Sequence, residues 1–338
     1  MPYLPDTSKP MEPLKTWSHL AGERRRPTEY EVVSTNLLWS TKDPKAPWAM
    51  GPGTPLTKWF VKYRNESPLV HDDWDAFRDP DKLVYRTYTM MQDGQENYID
   101  GLLDEHSKND HDATMPEAWP RELARFYTPS RYLIHAVQMA SAYLVQLARS
   151  STIENCCMFQ AADQYRWVCR IAYRTSELAK AHPDLGFGEK ERQIWEDDPA
   201  WDGFRELMER TLVTYDWGEH FAALQLVAKP CVEEAAIRQL GRAAKNQGDT
   251  LLGMLSDAQL IDSERSRRWT KALVEFVDQK NCNRALLKEW IEKWTPLGDR
   301  AIDAYCAALP GIEDAADQAK AAVRRFRADL GFGQPQPG

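Results

Sequence analysis

Two short stretches of this chain share a spacing of charged residues that could belong to a metal site. The stretches DQYRW, from Asp163 to Trp167, and DSERS, from Asp262 to Ser266, both place an arginine three residues after an aspartate. On a helix, residues at i and i+3 lie on one face, so each stretch would direct both side chains at the same neighbour. The pair could be a metal site, the remains of one, or a chance spacing.

The histidines decide against an intact site. In four-helix proteins that hold two irons, two helices each supply one Glu and two supply Glu-x-x-His. The residues three places before the seven histidines are Thr16, Pro68, Leu103, Lys108, Tyr132, Ala179 and Trp217. No Glu-x-x-His is present, and no two histidines are four apart, as a zinc protease helix requires. His106 and His111 lie in a polar stretch more typical of a helix end than of a ligand cage.

Composition excludes several classes of partner. The 338 residues carry a net charge of −8, and the basic run Arg24 to Arg26 is too short to follow a nucleic-acid backbone. The amino terminus has no apolar signal region, and the longest strongly apolar run is far shorter than a membrane span. We expect a cytoplasmic protein that binds neither nucleic acid nor membrane.

The six cysteines contain no Cys-x-x-Cys pair, so neither a structural zinc site nor a dithiol redox centre is predicted.

The elements that must position the two stretches are helices. Beyond residue 79 the apolar residues recur at helical spacing, with no alternation long enough for a sheet, so we predict an all-α fold. Long helices are predicted to begin at Thr128-Pro129 and to cover residues 151–181, 202–228 with an end at Pro230, and 250–279. Shorter helices are predicted at 80–106, 231–246, 284–294, 297–309 and 312–330. The two charged stretches lie in the middles of helices 151–181 and 250–279.

The first 70 residues differ from the rest. Ten prolines prevent any long helix there, because proline lacks an N–H and restricts the residue before it. The segment nevertheless contains Trp17, Trp39, Trp48 and Trp59, which a solvated disordered tail would lack. We predict an extended arm at 1–70 whose tryptophans contact other subunits, a single helical domain at 71–310, and a carboxy-terminal helix with a frayed tail at 311–338.

Longer runs of residues carry a family resemblance. They are KTWSHLA at 15–21, YRNESPLVHDDWDAFRDPDKLVYRTYTMMQDGQE at 63–96, STIENCC and AADQYRW within 151–167, AYRTSEL at 172–178, YDWGEHF at 215–221 and WIEKWTPLGDRA at 290–301. With these runs the chain resembles the β subunit of the hydroxylase of bacterial multicomponent di-iron monooxygenases, in the toluene/o-xylene, alkene and isoprene group. The resemblance implies a ferritin-like bundle, similar to ribonucleotide reductase, with extra helices.

In that family the catalytic α subunit has a similar fold, and its iron motif reads Asp-Glu-x-Arg-His twice. Laid over the two stretches here, the motif keeps its aspartates and arginines, which are Asp163, Arg166, Asp262 and Arg265. Its ligand positions hold Gln164, Trp167, Ser263 and Ser266. An indole has no lone pair to offer, and neutral amides and hydroxyls are poor ligands for iron. We therefore expect no metal, cofactor or catalytic residue in this chain, and ion pairs from Asp163 to Arg265 and from Asp262 to Arg166 in place of the metals.

The resemblance also implies partners. The hydroxylase would contain two copies each of α, β and γ chains. The di-iron centre of the α chain would insert one oxygen atom of O2 into a small hydrocarbon. An effector protein, a Rieske-type ferredoxin and an NADH-dependent reductase would serve this complex. Two other interpretations stay open from the residues alone: a free-standing helical scaffold, and an atypical di-iron enzyme.

Overall fold

The computed structural model describes residues 25–34 and 55–333, and within these ranges the chain is helical with no β-strand. The all-α prediction is confirmed. Trp17, Trp39 and Trp48 of the predicted arm lie outside the described residues. Within the described ranges, no helix is both long enough and apolar enough to cross a lipid bilayer.

The described residues form fourteen α-helices. They are α1 (Glu29–Ser34), α2 (Pro55–Phe60), α3 (Tyr85–Lys108), α4 (Trp119–Glu122), α5 (Ser130–Leu147), α6 (Ser151–Ala181), α7 (Glu191–Asp197), α8 (Pro199–Leu212), α9 (Trp217–Phe221), α10 (Lys229–Val232), α11 (Leu240–Asn246), α12 (Thr250–Val277), α13 (Asn281–Ala308) and α14 (Ala315–Asp329). The π-helical segments Ala222–Ala228 and Glu233–Gln239 join α9, α10 and α11 into one continuous helix, here called the composite helix.

Two helical hairpins form a four-helix bundle. Helices α5 and α6 pack along their lengths and are joined by only three residues, and the composite helix packs against α12 in the same way. Helix α3 lies across α6 and α12, while α8, α13 and α14 cover the outer side of the composite helix. The bundle therefore has four long helices around one centre, with α3 on one side and a layer of α8, α13 and α14 on another.

The two helices that carry the charged stretches have clear start signals. The Ser150 hydroxyl accepts a hydrogen bond from the backbone N–H of Ile153 at 3.4 Å, and α6 ends at Ala181, two residues before Pro183. The Asp249 carboxylate accepts from the N–H of Leu252 at 2.9 Å at the start of α12. Side-chain caps of this kind satisfy N–H groups that have no partner inside the helix. The predictions for 151–181 and 250–279 are confirmed.

The predicted helix at 202–228 is wrong in its middle and at its end. Helix α8 stops at Leu212, and Asp216 starts a new helix by accepting from the N–H groups of Gly218 and Glu219, both at 2.9 Å. The new helix then passes through Pro230 instead of ending there. Proline leaves the carbonyl four residues earlier without its donor. Here that carbonyl, on Leu226, accepts from Nε of Arg327 at 2.9 Å.

The predicted break between residues 294 and 297 is also wrong. Helix α13 runs through Pro296 without interruption. Trp290 and Trp294 before the proline and Ala301 and Tyr305 after it are buried, so the packed stripe continues across it. Burial of these large side chains outweighs the roughly 3 kcal/mol that an interior proline costs a helix.

Candidate functional site

The two charged stretches meet at the centre of the bundle. Asp163 and Arg166 lie midway along α6, and Asp262 and Arg265 lie midway along α12. Arg265 forms an ion pair with Asp163, and Arg166 forms one with Asp262, so each arginine reaches across to the other helix. The two carboxylates and Arg265 are buried, and Arg166 is largely so. Two anions and two cations thus neutralise one another inside the protein.

Helix α3 completes the hydrogen bonding of both carboxylates. Nε2 of Gln92 donates to Oδ1 of Asp163 at 2.8 Å and to Oδ1 of Asp262 at 2.9 Å, so one amide bridges the two aspartates. The Tyr88 hydroxyl donates to Asp163 at 2.8 Å. Burial raises the pKa of Tyr88 to about 12, which keeps this hydroxyl a donor at neutral pH. The three helices are therefore tied together at one point.

Trp167 stands at a ligand position of the family motif but acts as a hydrogen-bond donor. Its Nε1 donates to Oδ2 of Asp262 at 2.9 Å. The indole ring fills buried space, and its N–H adds a third donor to a carboxylate that also accepts from Gln92 and Arg166. Glu96 of α3 extends the network outward, because its Oε1 lies 2.5 Å from Arg166 and it also pairs with Arg170.

A second buried ion pair lies beside the other ligand positions. Lys229 of the composite helix donates to the Ser266 hydroxyl and forms an ion pair with Glu233. Glu233 also accepts from Nε of Arg267 at 2.8 Å. The Ser266 hydroxyl in turn donates to the backbone carbonyl of Ser263 at 2.8 Å. The Lys229 ammonium, the Glu233 carboxylate and the Ser266 hydroxyl therefore lie together on this side of the bundle.

The pKa directions of this pair follow from burial and charge. Burial lowers the pKa of Lys229, and attraction to Glu233 opposes that effect without cancelling it. Burial alone would raise the pKa of Glu233, but the positive charges of Lys229 and Arg267 together outweigh it, and the pKa lies below its usual value. Glu233 is thus held as a carboxylate between two cations.

The fourth helix of the bundle, α5, presents an apolar residue. Ile134 and Trp167 both line a cavity of about 20 Å³ between the four bundle helices, which is room for a single water molecule. Its wall is mostly apolar. The residues that line it include Tyr127, Ile134, Trp167, Ile237, Leu252 and Gln259.

These residues do not fit a di-iron centre. Across residues 25–34 and 55–333, no three side chains of His, Cys, Asp or Glu come together as a group that could hold a metal ion. The four residues predicted to lie at ligand positions, Gln164, Trp167, Ser263 and Ser266, are buried, and the Lys229 ammonium donates to the Ser266 hydroxyl. A bound metal cation would be repelled by this ammonium and by the two central guanidiniums.

Several residues of this centre were missed by the sequence reasoning, namely Tyr88, Gln92, Glu96, Lys229 and Glu233. A signal existed for Lys229 and Glu233, because two opposite charges four apart interrupt the apolar run after Phe221. No sequence pattern indicated Gln92, because its hydrogen bonds to Asp163 and Asp262 depend on where α3 crosses the bundle.

The fourth arm residue, Trp59, lies against its own chain. Its Nε1 donates to the Tyr143 hydroxyl at 3.3 Å, and its ring packs edge-on against Tyr215 with centroids 4.5 Å apart. The side chain is half-buried by these contacts. An interface role for Trp59 stays a prediction.

The fold and its centre define a class of protein, a ferritin-like helical bundle whose middle is held together by buried ion pairs and hydrogen bonds. The chain matches the methane/phenol/alkene hydroxylase family over residues 59–281, and it belongs to that family.

Individual relatives agree with this assignment. The chain is 51% identical to the hydroxylase component subunit β of the toluene-4-monooxygenase system of Ectopseudomonas mendocina, over 88% of this chain and 91% of that protein. It is 24% identical to the phenol 2-monooxygenase oxygenase component DmpL of Pseudomonas sp. (strain CF600), over 72% of this chain and 71% of that protein. A solved structure of toluene 4-monooxygenase with toluene bound in its resting active site superposes with a TM-score of 0.84 and 50% identity, covering 89% of this chain and 99% of that one.

Proposed function

We propose that this chain is the non-catalytic β subunit of a di-iron hydroxylase that inserts one oxygen atom of O2 into a small hydrocarbon. Toluene-like aromatics are the first substrates to test, because the relative with 51% identity is a toluene-4-monooxygenase subunit. Alkenes and isoprene are the next. The observation that supports the proposal is the centre of the bundle, where ion pairs join Asp163 to Arg265 and Asp262 to Arg166 and the Trp167 indole donates to Asp262.

The ion-paired centre suits a structural subunit. Asp163 and Asp262 together accept hydrogen bonds or ion pairs from α3, α6 and α12. In a catalytic bundle, metal ions would join helices at the corresponding place. Here the same helices are joined by side chains alone, so the bundle stays rigid without a cofactor and offers a firm surface to a catalytic chain.

The complex is proposed to be a dimer of αβγ trimers, with the di-iron centre in α. An effector protein, a Rieske-type ferredoxin and an NADH-dependent reductase would regulate it and supply electrons. The arm at 1–70, with Trp17, Trp39, Trp48 and Trp59, is proposed to contact the neighbouring subunits. Proline lowers the entropy cost of ordering such a segment, and tryptophan buries a large area on a partner.

Affinity purification of the tagged chain from the organism that encodes it tests the proposal. We expect a stoichiometric larger chain that contains Asp-Glu-x-Arg-His twice, identified by mass spectrometry, together with a small third chain. The purified complex should oxidise toluene, and the tagged chain expressed by itself should not. A version that lacks residues 1–55 should recover the partners poorly. Recovery of the full-length chain alone would contradict the proposal.

A further inference from the structure

Two glycines in the middle of α3 meet no close neighbour among the described residues that would require glycine. Gly94 and Gly101 lie one heptad apart, and a Cβ added at either would meet nothing within 4 Å in the described residues. Glycine in a helix interior costs about 1 kcal/mol of stability relative to alanine. A pair of exposed glycines therefore lowers the stability of α3 with no gain, unless another chain must approach the backbone closely there. The buried residues of α3 are Tyr88, Gln92, Ile99 and Leu103, so both glycines lie on the side away from the bundle.

Exposed apolar side chains surround these glycines. Met90, Met91 and Tyr98 flank them on α3. The outer side of α6 carries a stripe of exposed residues at helical spacing, namely Met158, Tyr165 and Tyr173. The outer side of α12 carries a similar pair, Met254 and Ile261. The three helices are neighbours, since Gln92 of α3 bonds to both α6 and α12 and Arg170 of α6 pairs with Asp100 of α3. We call the outer side of α3, α6 and α12 the glycine face.

The glycine face is large enough for a stable interface. Its eight apolar side chains are between 37% and 65% exposed. At about 200 Å² for a fully exposed side chain of this size, they leave on the order of 800 Å² uncovered. One partner contributes roughly 800 Å² to a standard protein interface, so the summed exposed area of these side chains is comparable with what one partner buries.

The charges around the glycine face favour a different chain over a second copy of this one. Its arginines pair within the chain: Arg170 with Glu96 and Asp100, and Arg268 with Asp81. Asp93, Asp104 and Glu264 form no ion pair within the described residues, so the uncompensated charge is negative. A twofold arrangement of two copies would bring acidic residues together, which is unfavourable.

We propose that the glycine face binds the catalytic, iron-holding chain of the hydroxylase. A helix of that chain would cross α3 closely at Gly94 and Gly101, and its lysines or arginines would face Asp93 and Asp104. Small residues allow helix axes to approach more closely than larger residues do. This inference rests on the proposed function, and it adds which surface of this chain meets the partner.

Two cysteines of the wild-type chain allow a direct test. Cys169 lies exposed on α6 within the glycine face, and Cys282 is exposed at the start of α13, outside it; the other four cysteines are buried. N-ethylmaleimide would be applied to the free chain and to the intact hydroxylase, and each cysteine followed by peptide mass spectrometry. We expect Cys169 to react about tenfold or more slowly in the complex, because an interface core excludes the reagent, while Cys282 keeps its rate.

The outcomes separate this inference from the proposed function. Failure of the wild-type chain to assemble with a catalytic chain would overturn both. Assembly that leaves Cys169 as reactive as in the free chain would overturn the glycine face alone. Protection of Cys169 in a homodimer of the free chain, but not in the hydroxylase, would assign the face to a second copy and also overturn it.

Variants provide an independent readout. Replacing both Gly94 and Gly101 by alanine should raise the melting temperature of the free chain, because the added methyl groups meet nothing within the described residues.

Replacing both glycines by leucine, or Tyr165 by arginine, should lower recovery of the catalytic chain about tenfold. The matched control is Val213→Arg, at a site of similar exposure outside the face, which should assemble normally. Normal assembly of the leucine and arginine variants would contradict the inference.

Discussion

At the residue scale, each central aspartate depends on an arginine from another helix. Asp163 is 1% exposed and accepts from Tyr88, Gln92 and Arg265. A buried ion pair contributes little compared with a well-packed apolar pair, but removing one partner leaves the other charge buried alone. The four charged residues therefore add little net stability to the fold, but none of them can be removed without leaving a partner charge buried and unpaired.

The substitution Asp163→Asn tests this dependence. It keeps the shape of the side chain but leaves the Arg265 guanidinium buried without its main anion, so the free energy of unfolding should fall by about 3 kcal/mol. Urea denaturation of the purified chain measures it. The control is Glu196→Gln, because Glu196 pairs with Arg192 on the surface and its loss should cost under about 0.5 kcal/mol. Equal effects of the two substitutions would refute the dependence.

Glu233 gives the centre a pH dependence. Its pKa lies below the usual 4.5, so the unfolded chain binds the proton more readily than the folded chain does. The contribution of Glu233 to stability is then complete above pH 4.5 and is lost as the pH falls. In Glu233→Gln, stability should fall less steeply than in the wild type between about pH 5 and pH 3. Urea midpoints across this range measure the two slopes.

The matched control for Glu233 is Glu292→Gln. Glu292 lies exposed, 3.8 Å from Lys288, and its replacement should leave the wild-type slope unchanged. A Glu233→Gln slope equal to that of the wild type would show that the buried pair does not titrate with folding.

Only some residues of the centre could be predicted from the sequence. The shared Asp-x-x-Arg spacing, laid over a family motif, predicted which four charges would face one another, because i and i+3 fix a helix face. Gln92 and Lys229 could not be placed, since they lie on other helices and their contacts depend on packing. Spacing within one helix is local information, whereas the meeting of four helices is not.

At the element scale, prolines were the main source of error. Pro230 and Pro296 were expected to end helices, and both lie inside continuous ones. Local propensity is a weak prior that burial overrides. For Pro230 the structure supplies a specific compensation, the bond from Arg327 to the Leu226 carbonyl. No sequence pattern links two residues 101 positions apart.

A double-mutant cycle tests that compensation. Arg327→Met should cost about 2 kcal/mol in the wild type, because a charged donor to a buried carbonyl is lost. With Pro230→Ala present, residue 230 regains an N–H for Leu226, and Arg327→Met should cost about 1 kcal/mol less. The control is Arg325→Met, on the exposed side of α14, whose effect should be the same in both backgrounds. Additive effects for Arg327 would contradict the assignment.

At the scale of the whole molecule, a fold of the hydroxylase family encloses a centre that has no group of metal ligands within the described residues. Family membership extends over residues 59–281, and the bundle helices α5, α6 and α12 and the composite helix occupy the places that a di-iron protein needs. The interior is instead held by two ion-pair systems, one around Asp163 and Asp262 and one around Lys229 and Glu233. Side chains alone therefore join the bundle helices at the centre, and we propose that they stand where a catalytic relative binds its metals.

The iron content of the chain tests this account most directly. The purified chain would be incubated with ferrous iron without oxygen, freed of unbound metal, and measured by inductively coupled plasma mass spectrometry, with the catalytic partner chain as positive control. The account predicts stoichiometric iron in the partner and none above background in this chain. Stoichiometric iron that stays with this chain would contradict it.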